Sequence, residues 1–483
     1  MQLKFIRKNP LFFALLLITF FLALFFRLYN YPFRIAVVSD HARDVQVAHF
    51  AFDHGKIPQI GQFSSAGPFF YGPWWYWFLE LFTFFPLGSL THWYLMTILS
   101  LAFIALMYYL GNYVGGKWTG LLSAFLASIS PAQITNSFAV WNPAIIPLLS
   151  LIILILLVKC YQNNIWHNFF LLGFTLGLAL TIHFQSILLI PTLLLGGLCA
   201  KKSFKNYLFL FAGFSLPFMP LIYFDARFHW SNFRNIWQYL TVGQYNIYVP
   251  NRWLTYIGNY WPDTWSNIAG GNYWISWVII FFLAIFTLIG LVRFSLHKKI
   301  YLVIAAFLLE IVLFRYYRGE RFFYYSFFAH PYVILLTGWT IWQLLKRNKI
   351  IALFLFLLIS IFTIKKALET LVISDINFIK ILATKQEIYA KYHNETFDIY
   401  GCNFTEGNLV SYPLAYFMYL DGRNEPGGRK IGLCFTGGQP IGWKELSQKE
   451  LEKAKPTWFN RTTEQVFKET AEWWKENPPS TPQ

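Results

Sequence analysis

The chain has 483 residues, of which 56% are hydrophobic and 21% aromatic, and its formal net charge is +16. In a soluble protein, that charge would indicate a nucleic-acid partner. Long apolar stretches exclude this class, because much of the charge lies in the short loops between them, where anionic lipid headgroups are the natural partners. We therefore expect membrane lipids, and no nucleic acid, as partners.

Eleven apolar stretches follow one another along the chain, at 11–28, 92–112, 119–138, 143–158, 168–182, 184–198, 206–223, 275–292, 300–314, 325–344 and 350–364. Most approach the roughly 17–25 residues that a helix needs to cross a bilayer. Runs this long are typical of helices, which satisfy their own backbone groups in lipid. The sequence predicts an all-α polytopic membrane protein with about eleven transmembrane helices, or twelve if a neighbouring segment also crosses.

Basic residues without acidic neighbours occupy every second loop: Lys4, Arg7, Lys8, Lys117, Lys159, Lys201, Lys202, Lys205, Arg293, Lys298, Lys299, Lys346, Arg347 and Lys349. The positive-inside rule places these loops in the cytoplasm. We expect a plasma (inner) membrane protein with a cytoplasmic N-terminus and an extracytoplasmic chain beyond Lys366. The first span ends outside and the loop at 111–117 lies inside, so only one of the segments 69–87 and 92–112 can cross. We expect the aromatic segment 69–87, which contains Glu80, to lie at the interface without crossing.

The first outer loop, 30–91, contains an amphipathic segment that begins S39-D-H-A-R-D. Asp40 and Asp44 are four residues apart, so their carboxylates share one face of the predicted helix. Asp40 is either a helix N-cap or a functional acid, because carboxylates are favoured at both kinds of site. Asp44 is either a second functional acid or a solvated side chain.

Two polar residues lie where spans meet the predicted outer side. Asn142 belongs to W141-N-P, which opens a span, and His183 joins two spans. Polar groups at membrane depth are candidates for function. An interhelical hydrogen bond is the alternative for Asn142 and His183.

The segment R315-Y-Y-R-G-E-R places three arginines on the predicted outer side, where the positive-inside rule disfavours them. Arginine binds phosphate in a bidentate manner. Arg318 and Arg321 are therefore candidates for a phosphate site, with pairing to Glu320 or to lipid headgroups as the alternative.

The ordered set D40-H-A-R-D, F69-F-Y-G-P-W-W-Y-W, L110-G-N-Y-V-G-G, S130-P, W141-N-P and G177-L-A-L-T-I-H-F-Q-S resembles the polyprenyl-phosphate-dependent glycosyltransferases of the GT-C superfamily. The resemblance is to the branch that holds glycosyltransferase family 39, the protein O-mannosyltransferases and the aminoarabinose transferases. It covers roughly the first 225 residues. Many relatives place two acids side by side, whereas His41 follows Asp40 here, so Asp40 acts either alone or with Asp44.

The resemblance implies an inverting transfer of a hexosyl or pentosyl group from a polyprenyl phosphate to a hydroxyl of a glycan, lipid or protein acceptor. Asp40 would be the general base. Arg318 and Arg321, with Arg43 and His183, would stabilise the departing phosphate, and Tyr71 and Asn142 would bind the sugar or the phosphate. No cofactor is required, and a divalent metal at Asp40, His41 and Asp44 is the weaker alternative.

Residues 1–369 form the predicted transmembrane catalytic domain, and residues 370–483 form a small extracytoplasmic α/β domain with a charged tail. F397-D-I-Y-G-C-N-F and K430-I-G-L-C-F are typical of strands, and S411-Y-P-L-A-Y-F-M-Y-L is typical of a helix. Cys402 and Cys434 fall on these strands and form a candidate disulfide.

Two other functions fit a protein with many spans. A transporter would need a charged group within the membrane, and Glu310 is the residue of interest. A membrane glycan polymerase or ligase would also have many spans and large outer loops. The acidic outer helix followed by Y-G-P favours the transferase.

The predicted orientation can be tested with topology reporters. Fusions at Lys202 and Lys298 should give a cytoplasmic signal, and a fusion at Gln483 an extracytoplasmic one, because basic loops are retained inside. A cytoplasmic signal at Gln483 would contradict both the number of spans and the side on which the site lies.

Overall fold

The computed structural model describes residues 10–64, 67, 69–200, 203–242, 252–292, 298–317, 321–374, 376–401, 406–434, 441–451 and 454–456. Helices of the first half are Pro10–Leu28, Tyr31–Arg34, Ser39–Asp53, Trp74–Thr83, Thr91–Gly115, Lys117–Ile129, Pro131–Asn136, Ile146–Gln162, Trp166–Ile182, Ile190–Cys199, Phe204–Ser215 and Met219–Arg227. Those of the second half are Ser231–Thr241, Arg252–Thr255, Trp261–Trp265, Tyr273–Val292, Lys298–Tyr316, His330–Leu345, Lys349–Glu369, Phe378–Lys391, Glu406–Leu420 and Gln448–Leu451.

A helix lies on each of the eleven predicted apolar stretches. Six helices of the described residues are long and apolar enough to cross a membrane. Two further apolar helices are shorter: Trp166–Ile182, and Phe184–Cys199, in which the 3₁₀ helix Phe184–Leu189 continues into Ile190–Cys199. The chain is a multi-pass membrane protein, and the count of eleven crossings stays a prediction. The helix Trp74–Thr83 has 10 residues, fewer than the roughly 17 that a crossing requires.

The centre of the bundle is the helix His330–Leu345, which is buried along most of its length and packs against Lys117–Ile129 and Lys349–Glu369. The peripheral helix Pro10–Leu28 is tied to this core by the buried Arg27. Its guanidinium donates to Ser100 Oγ at 2.9 Å and to the Ser128 carbonyl at 3.0 Å. Satisfying these donors is necessary, because an unpaired charge inside a bundle is costly.

Two helices, Trp166–Ile182 and Phe204–Ser215, approach each other through glycines. A Cβ added at Gly173 would lie 2.1 Å from the Leu210 carbonyl oxygen, and one added at Gly213 would lie 2.2 Å from the Phe170 carbonyl oxygen. Small residues at such crossings let the backbones make close van der Waals contact, which drives helix association in lipid.

The C-terminal region contains a four-stranded mixed sheet in the order β3-β2-β1-β4, with β1 Phe397–Gly401, β2 Arg429–Cys434, β3 Gly442–Glu445 and β4 Lys455–Pro456. Strands β1 and β2 are parallel, and the helix Glu406–Leu420 connects them. The strands and the helix therefore lie where the sequence predicts them. Cys402 and most of the charged tail lie outside the described residues, so the Cys402–Cys434 disulfide stays a prediction.

The sheet region docks on the first loop. The helix Glu406–Leu420 packs against Ser39–Asp53, and the Tyr419 hydroxyl donates to Asp53 Oδ2 at 2.7 Å. The ring of Tyr416 lies 5.6 Å from that of His49. The helix that carries Asp40 is thus held on one face by the C-terminal region.

The glycine crossing gives a stability prediction. Gly173→Ala forces its Cβ against a backbone carbonyl, and overpacking of this kind costs about 1–3 kcal/mol. The midpoint of thermal unfolding in detergent should fall by several degrees. Gly197→Ala is the matched control, because the nearest atom to its added Cβ is Tyr207 Cε1 at 3.7 Å. Equal midpoints for the two variants would contradict the close crossing.

Candidate active site

Asp40 lies in the first turn of the helix Ser39–Asp53, and its side chain is 54% exposed. The N-cap position belongs to Val38, and no side chain caps this helix. Asp40 Oδ1 instead accepts a hydrogen bond from Arg43 Nη1 at 2.9 Å. The N-cap interpretation of Asp40 is therefore wrong, and its carboxylate is half open to its surroundings.

Asp44 is fully buried on the same helix, and four N–H donors saturate its carboxylate. Oδ1 accepts from Arg43 Nε at 2.9 Å and Nη2 at 2.7 Å, and Oδ2 accepts from Gln62 Nε2 at 2.8 Å and Trp75 Nε1 at 2.9 Å. Burial raises the pKa of Asp44, while the Arg43 guanidinium opposes this shift. The interpretation of Asp44 as a solvated side chain is wrong.

Arg43 bridges the two acids. Burial alone would lower the pKa of its guanidinium, but the Asp44 and Asp40 carboxylates raise that pKa well above its ordinary value. We call these three side chains the carboxylate bridge. In the carboxylate bridge, Arg43 binds one oxygen of the exposed Asp40, and the buried Asp44 holds Arg43 in place.

An open cavity of ≈ 760 Å³ adjoins the exposed side of Asp40. Its walls come from residues 34–41, 131–141, 260–268 and 321–330, which are far apart in the sequence. Its polar lining consists of Arg34, Asp40, His41, Thr135, Asn136, Tyr260, Asp263, Thr264, Asn267, Arg321, Ser326 and His330.

Several buried polar atoms of residues in this lining have no hydrogen-bond partner among the described residues: the donors Arg34 Nη2, Trp141 Nε1 and Arg321 Nε, and the acceptor Asn136 Oδ1. Buried polar groups in native proteins are nearly always satisfied, by protein, water or ligand. The cavity is therefore suited to a polar molecule that both accepts and donates hydrogen bonds.

Arg321 is held at the cavity without a carboxylate partner among the residues described. Its Nη2 donates to the carbonyls of Arg315 and Tyr317, each at 3.3 Å, and its guanidinium lies 4.8 Å from the Tyr256 ring centroid. These contacts orient the guanidinium, and no carboxylate of the described residues pairs with it; Glu320, the alternative partner, lies outside those residues. Arg318, the other predicted phosphate ligand, lies outside the described residues.

Tyr71 and His183 meet in a second, buried cluster. Their rings stack with centroids 4.9 Å apart, and the Tyr71 hydroxyl lies 3.4 Å from His183 Nε2. Asn142 Nδ2 donates to the Ile182 carbonyl at 2.8 Å, which is the interhelical contact weighed for it. None of the three lines the cavity. The Trp141 ring lines the cavity and connects it to this cluster. It lies 6.3 Å from the ring of His41 and 5.2 Å from the ring of Tyr324, which contacts His183.

The three residues weighed as metal ligands do not form a ligand set. Asp44 is saturated by its four donors, and the Arg43 guanidinium lies between the two carboxylates. His41 Nδ1 bonds the Ala36 carbonyl at 3.1 Å. Within the ranges that the structure describes, no group of three or more His, Cys, Asp or Glu could hold a metal ion.

Sequence reasoning did not single out Arg34, Asp263, Asn267 or His330, which all line the cavity. Two of them carried a partial signal in the sequence. Arg34 is another basic residue on the predicted outer side, and Asp263 is an acid within a Trp-rich region. No such signal marked Asn267 or His330.

No protein-family model and no curated protein sequence matches this chain. Among solved structures, it is similar to ArnT from Cupriavidus metallidurans bound to undecaprenyl phosphate, with a TM-score of 0.54, 11% identity and coverage of 89% of this chain and 93% of ArnT. ArnT in the apo state gives a TM-score of 0.53 at 12% identity, covering 88% and 92%. The apo oligosaccharyltransferase of Archaeoglobus fulgidus gives 0.46 at 13% identity, covering 79% and 59%.

His41 gives a pH prediction. Burial lowers the pKa of its imidazole to about 4, although Asp40 opposes the shift. Because the folded pKa lies below the ordinary value of about 6.5, the neutral ring stabilises the fold above pH ~6.5, and this contribution is lost as pH falls towards ~4. His41→Asn keeps an N–H near the position of Nδ1 and removes the titration. The midpoint of thermal unfolding between these pH values should therefore depend less on pH in the variant. If the midpoints of wild type and variant change in parallel with pH, the lowered pKa of His41 is contradicted.

Proposed function

We propose that this chain, which has the GT-C fold, is an inverting glycosyltransferase that moves a sugar from a polyprenyl phosphate to an acceptor hydroxyl on the extracytoplasmic side of the membrane. The observation that carries the proposal is that Asp40 and Arg321 line one cavity of ≈ 760 Å³. A base and a phosphate-binding cation are the two groups that this reaction needs.

Asp40 is the proposed general base. The acceptor hydroxyl gives its proton to Asp40 as its oxygen bonds to C1 of the sugar, and the C1–oxygen bond to the phosphate breaks. The polyprenyl phosphate leaves with the bonding electrons, and the anomeric centre inverts. Arg43 donates to Oδ1 of Asp40 at 2.9 Å, which fixes the orientation of the carboxylate.

Arg321 is the proposed ligand of the donor phosphate. Its Nε is buried and has no partner, and a guanidinium can donate two parallel hydrogen bonds to a phosphate. Arg34 lines the same cavity and has an unpartnered Nη2. The similar protein ArnT has been solved with undecaprenyl phosphate bound, which supports this class of donor.

Asp44 is better suited to positioning than to proton transfer. It is fully buried, and both of its oxygens already accept hydrogen bonds. We assign to it the role of anchoring Arg43, which in turn orients Asp40. Tyr71, Asn142 and His183 stay predicted donor ligands, although none of them lines the cavity that Asp40 and Arg321 line.

Glu310, the residue on which a transporter would depend, is buried between helices. Its Oε1 accepts hydrogen bonds from Thr192 Oγ1 at 2.6 Å and the Tyr332 hydroxyl at 2.7 Å. These bonds join three helices and give the residue a structural role, while its buried Oε2 has no hydrogen-bond partner among the described residues.

The roles of Asp40 and Arg321 can be separated by mutation. Asp40→Asn removes proton acceptance while keeping shape, so transfer from radiolabelled undecaprenyl-phosphate sugars should fall by about 10²–10⁴. Binding of undecaprenyl phosphate should change little. Arg321→Ala should instead weaken that binding, by about tenfold or more for a lost charged hydrogen bond.

Asp421→Asn is the control, because Asp421 pairs with Lys385 on the C-terminal region and does not line the cavity. It should retain transfer. If folded Asp40→Asn also retains near-complete transfer, the base must be another group and the proposal fails.

A further inference from the structure

One wall of the cavity is a helical segment of unusual geometry. Tyr256–Tyr260 and Ser266–Gly270 are π-helical turns that flank Trp261–Trp265. Such turns are rare and occur often at functional sites. Tyr260, Asp263, Thr264 and Asn267 all line the cavity. Their spacing places four polar side chains on one face of the segment.

The opposite face of this segment is apolar and fixed. The ring of Trp261 lies 5.6 Å from that of Phe307, and the ring of Trp265 lies 6.1 Å from it. The Trp265 indole donates to Thr337 Oγ1 at 2.9 Å, on the central helix. This packing sets the rotation of the segment, so the polar face is directed to the cavity by the core of the bundle.

The polar face offers both donors and acceptors. Asn267 Oδ1 accepts from Lys366 Nζ at 3.0 Å. Because an ammonium group only donates, this contact assigns the amide oxygen to Lys366 and leaves the Nδ2 donors for the cavity. Asp263 is exposed and supplies carboxylate acceptors, with Thr264 beside it.

The Asp263 carboxylate disfavours a phosphate on this face, although the neighbouring Lys366 ammonium offsets part of its charge. This chemistry suits sugar hydroxyls, each of which donates one hydrogen bond and accepts others. A carboxylate and an amide about one helical turn apart can bind neighbouring hydroxyls of one ring, since residues four apart share a helix face.

We propose that Asp263 and Asn267 form a subsite for the vicinal hydroxyls of a sugar ring, and so determine sugar specificity in the cavity. This inference rests on the proposed function, because it assumes that a sugar enters the cavity and assigns that sugar to the wall formed by residues 260–268. The ring belongs either to the donor or to a glycan acceptor, because both carry the same hydroxyl chemistry.

The test compares the purified wild type with Asp263→Asn, Asn267→Ala and the control Asn259→Ala. Asn259 is exposed on the same segment and does not line the cavity. The probes are methyl glycosides of common hexoses and pentoses, followed by saturation-transfer NMR, and undecaprenyl phosphate without a sugar, followed by native mass spectrometry.

Each cavity variant should weaken binding of the preferred methyl glycoside by about tenfold, the effect of one lost hydrogen bond to a polar or charged group. Binding of undecaprenyl phosphate should stay as in the wild type, and Asn259→Ala should leave both unchanged. Unaltered glycoside binding in both cavity variants, or no glycoside binding by the wild type, would overturn the subsite. Loss of undecaprenyl phosphate binding in Arg321→Ala tests the proposed function instead.

Turnover then distinguishes the two sources of the ring. If the subsite binds the donor sugar, both variants lower the slow hydrolysis of undecaprenyl-phosphate sugars as well as transfer. If it binds a glycan acceptor, transfer falls and hydrolysis does not. Both results support the subsite, and unchanged kcat/KM for both reactions overturns it.

Discussion

The carboxylate bridge is the interaction on which the geometry of the site depends. Asp44 is fully buried within the protein, and such a charge is tolerated only when its lone pairs are satisfied. Arg43, Gln62 and Trp75 satisfy them, so the rotation of the helix Ser39–Asp53 is set. Removing one partner of a buried pair costs about 3–5 kcal/mol. Because Arg43 also binds Asp40, the same contact that stabilises the loop aims the proposed base at the cavity.

Hydropathy and charge allowed much of the fold to be predicted, because lipid admits few structures and each long apolar stretch must form a helix. The strands β1 and β2 and the helix Ser39–Asp53 were also predicted, since alternation and helical periodicity are local. The cavity was not. Its walls at 131–141, 260–268 and 321–330 meet only through packing, and no local pattern encodes such a meeting.

The candidate site shows the same division. Asp40 was selected through the resemblance, with a helix N-cap as the alternative, and Arg321 because a basic residue on the predicted outer side needs an explanation; both line the cavity. His183 was selected as a polar group at membrane depth and Tyr71 as a hydrogen-bonding group for the sugar or the phosphate, but their rings stack on each other and neither lines the cavity. The sequence shows which side chains need an explanation, whereas their partners decide which of them face the substrate.

The two cavity arginines are held in a similar way. Arg34 Nη1 donates to the carbonyls of Phe26 and Tyr29, each at 2.9 Å, and its guanidinium lies 4.7 Å from the Phe138 ring centroid. Arg321 likewise uses carbonyls and the Tyr256 ring. A carboxylate partner would orient each guanidinium but neutralise it, whereas carbonyl dipoles and aromatic faces orient it and leave the positive charge for an anion. The contacts that hold these arginines are therefore compatible with the phosphate site that we propose.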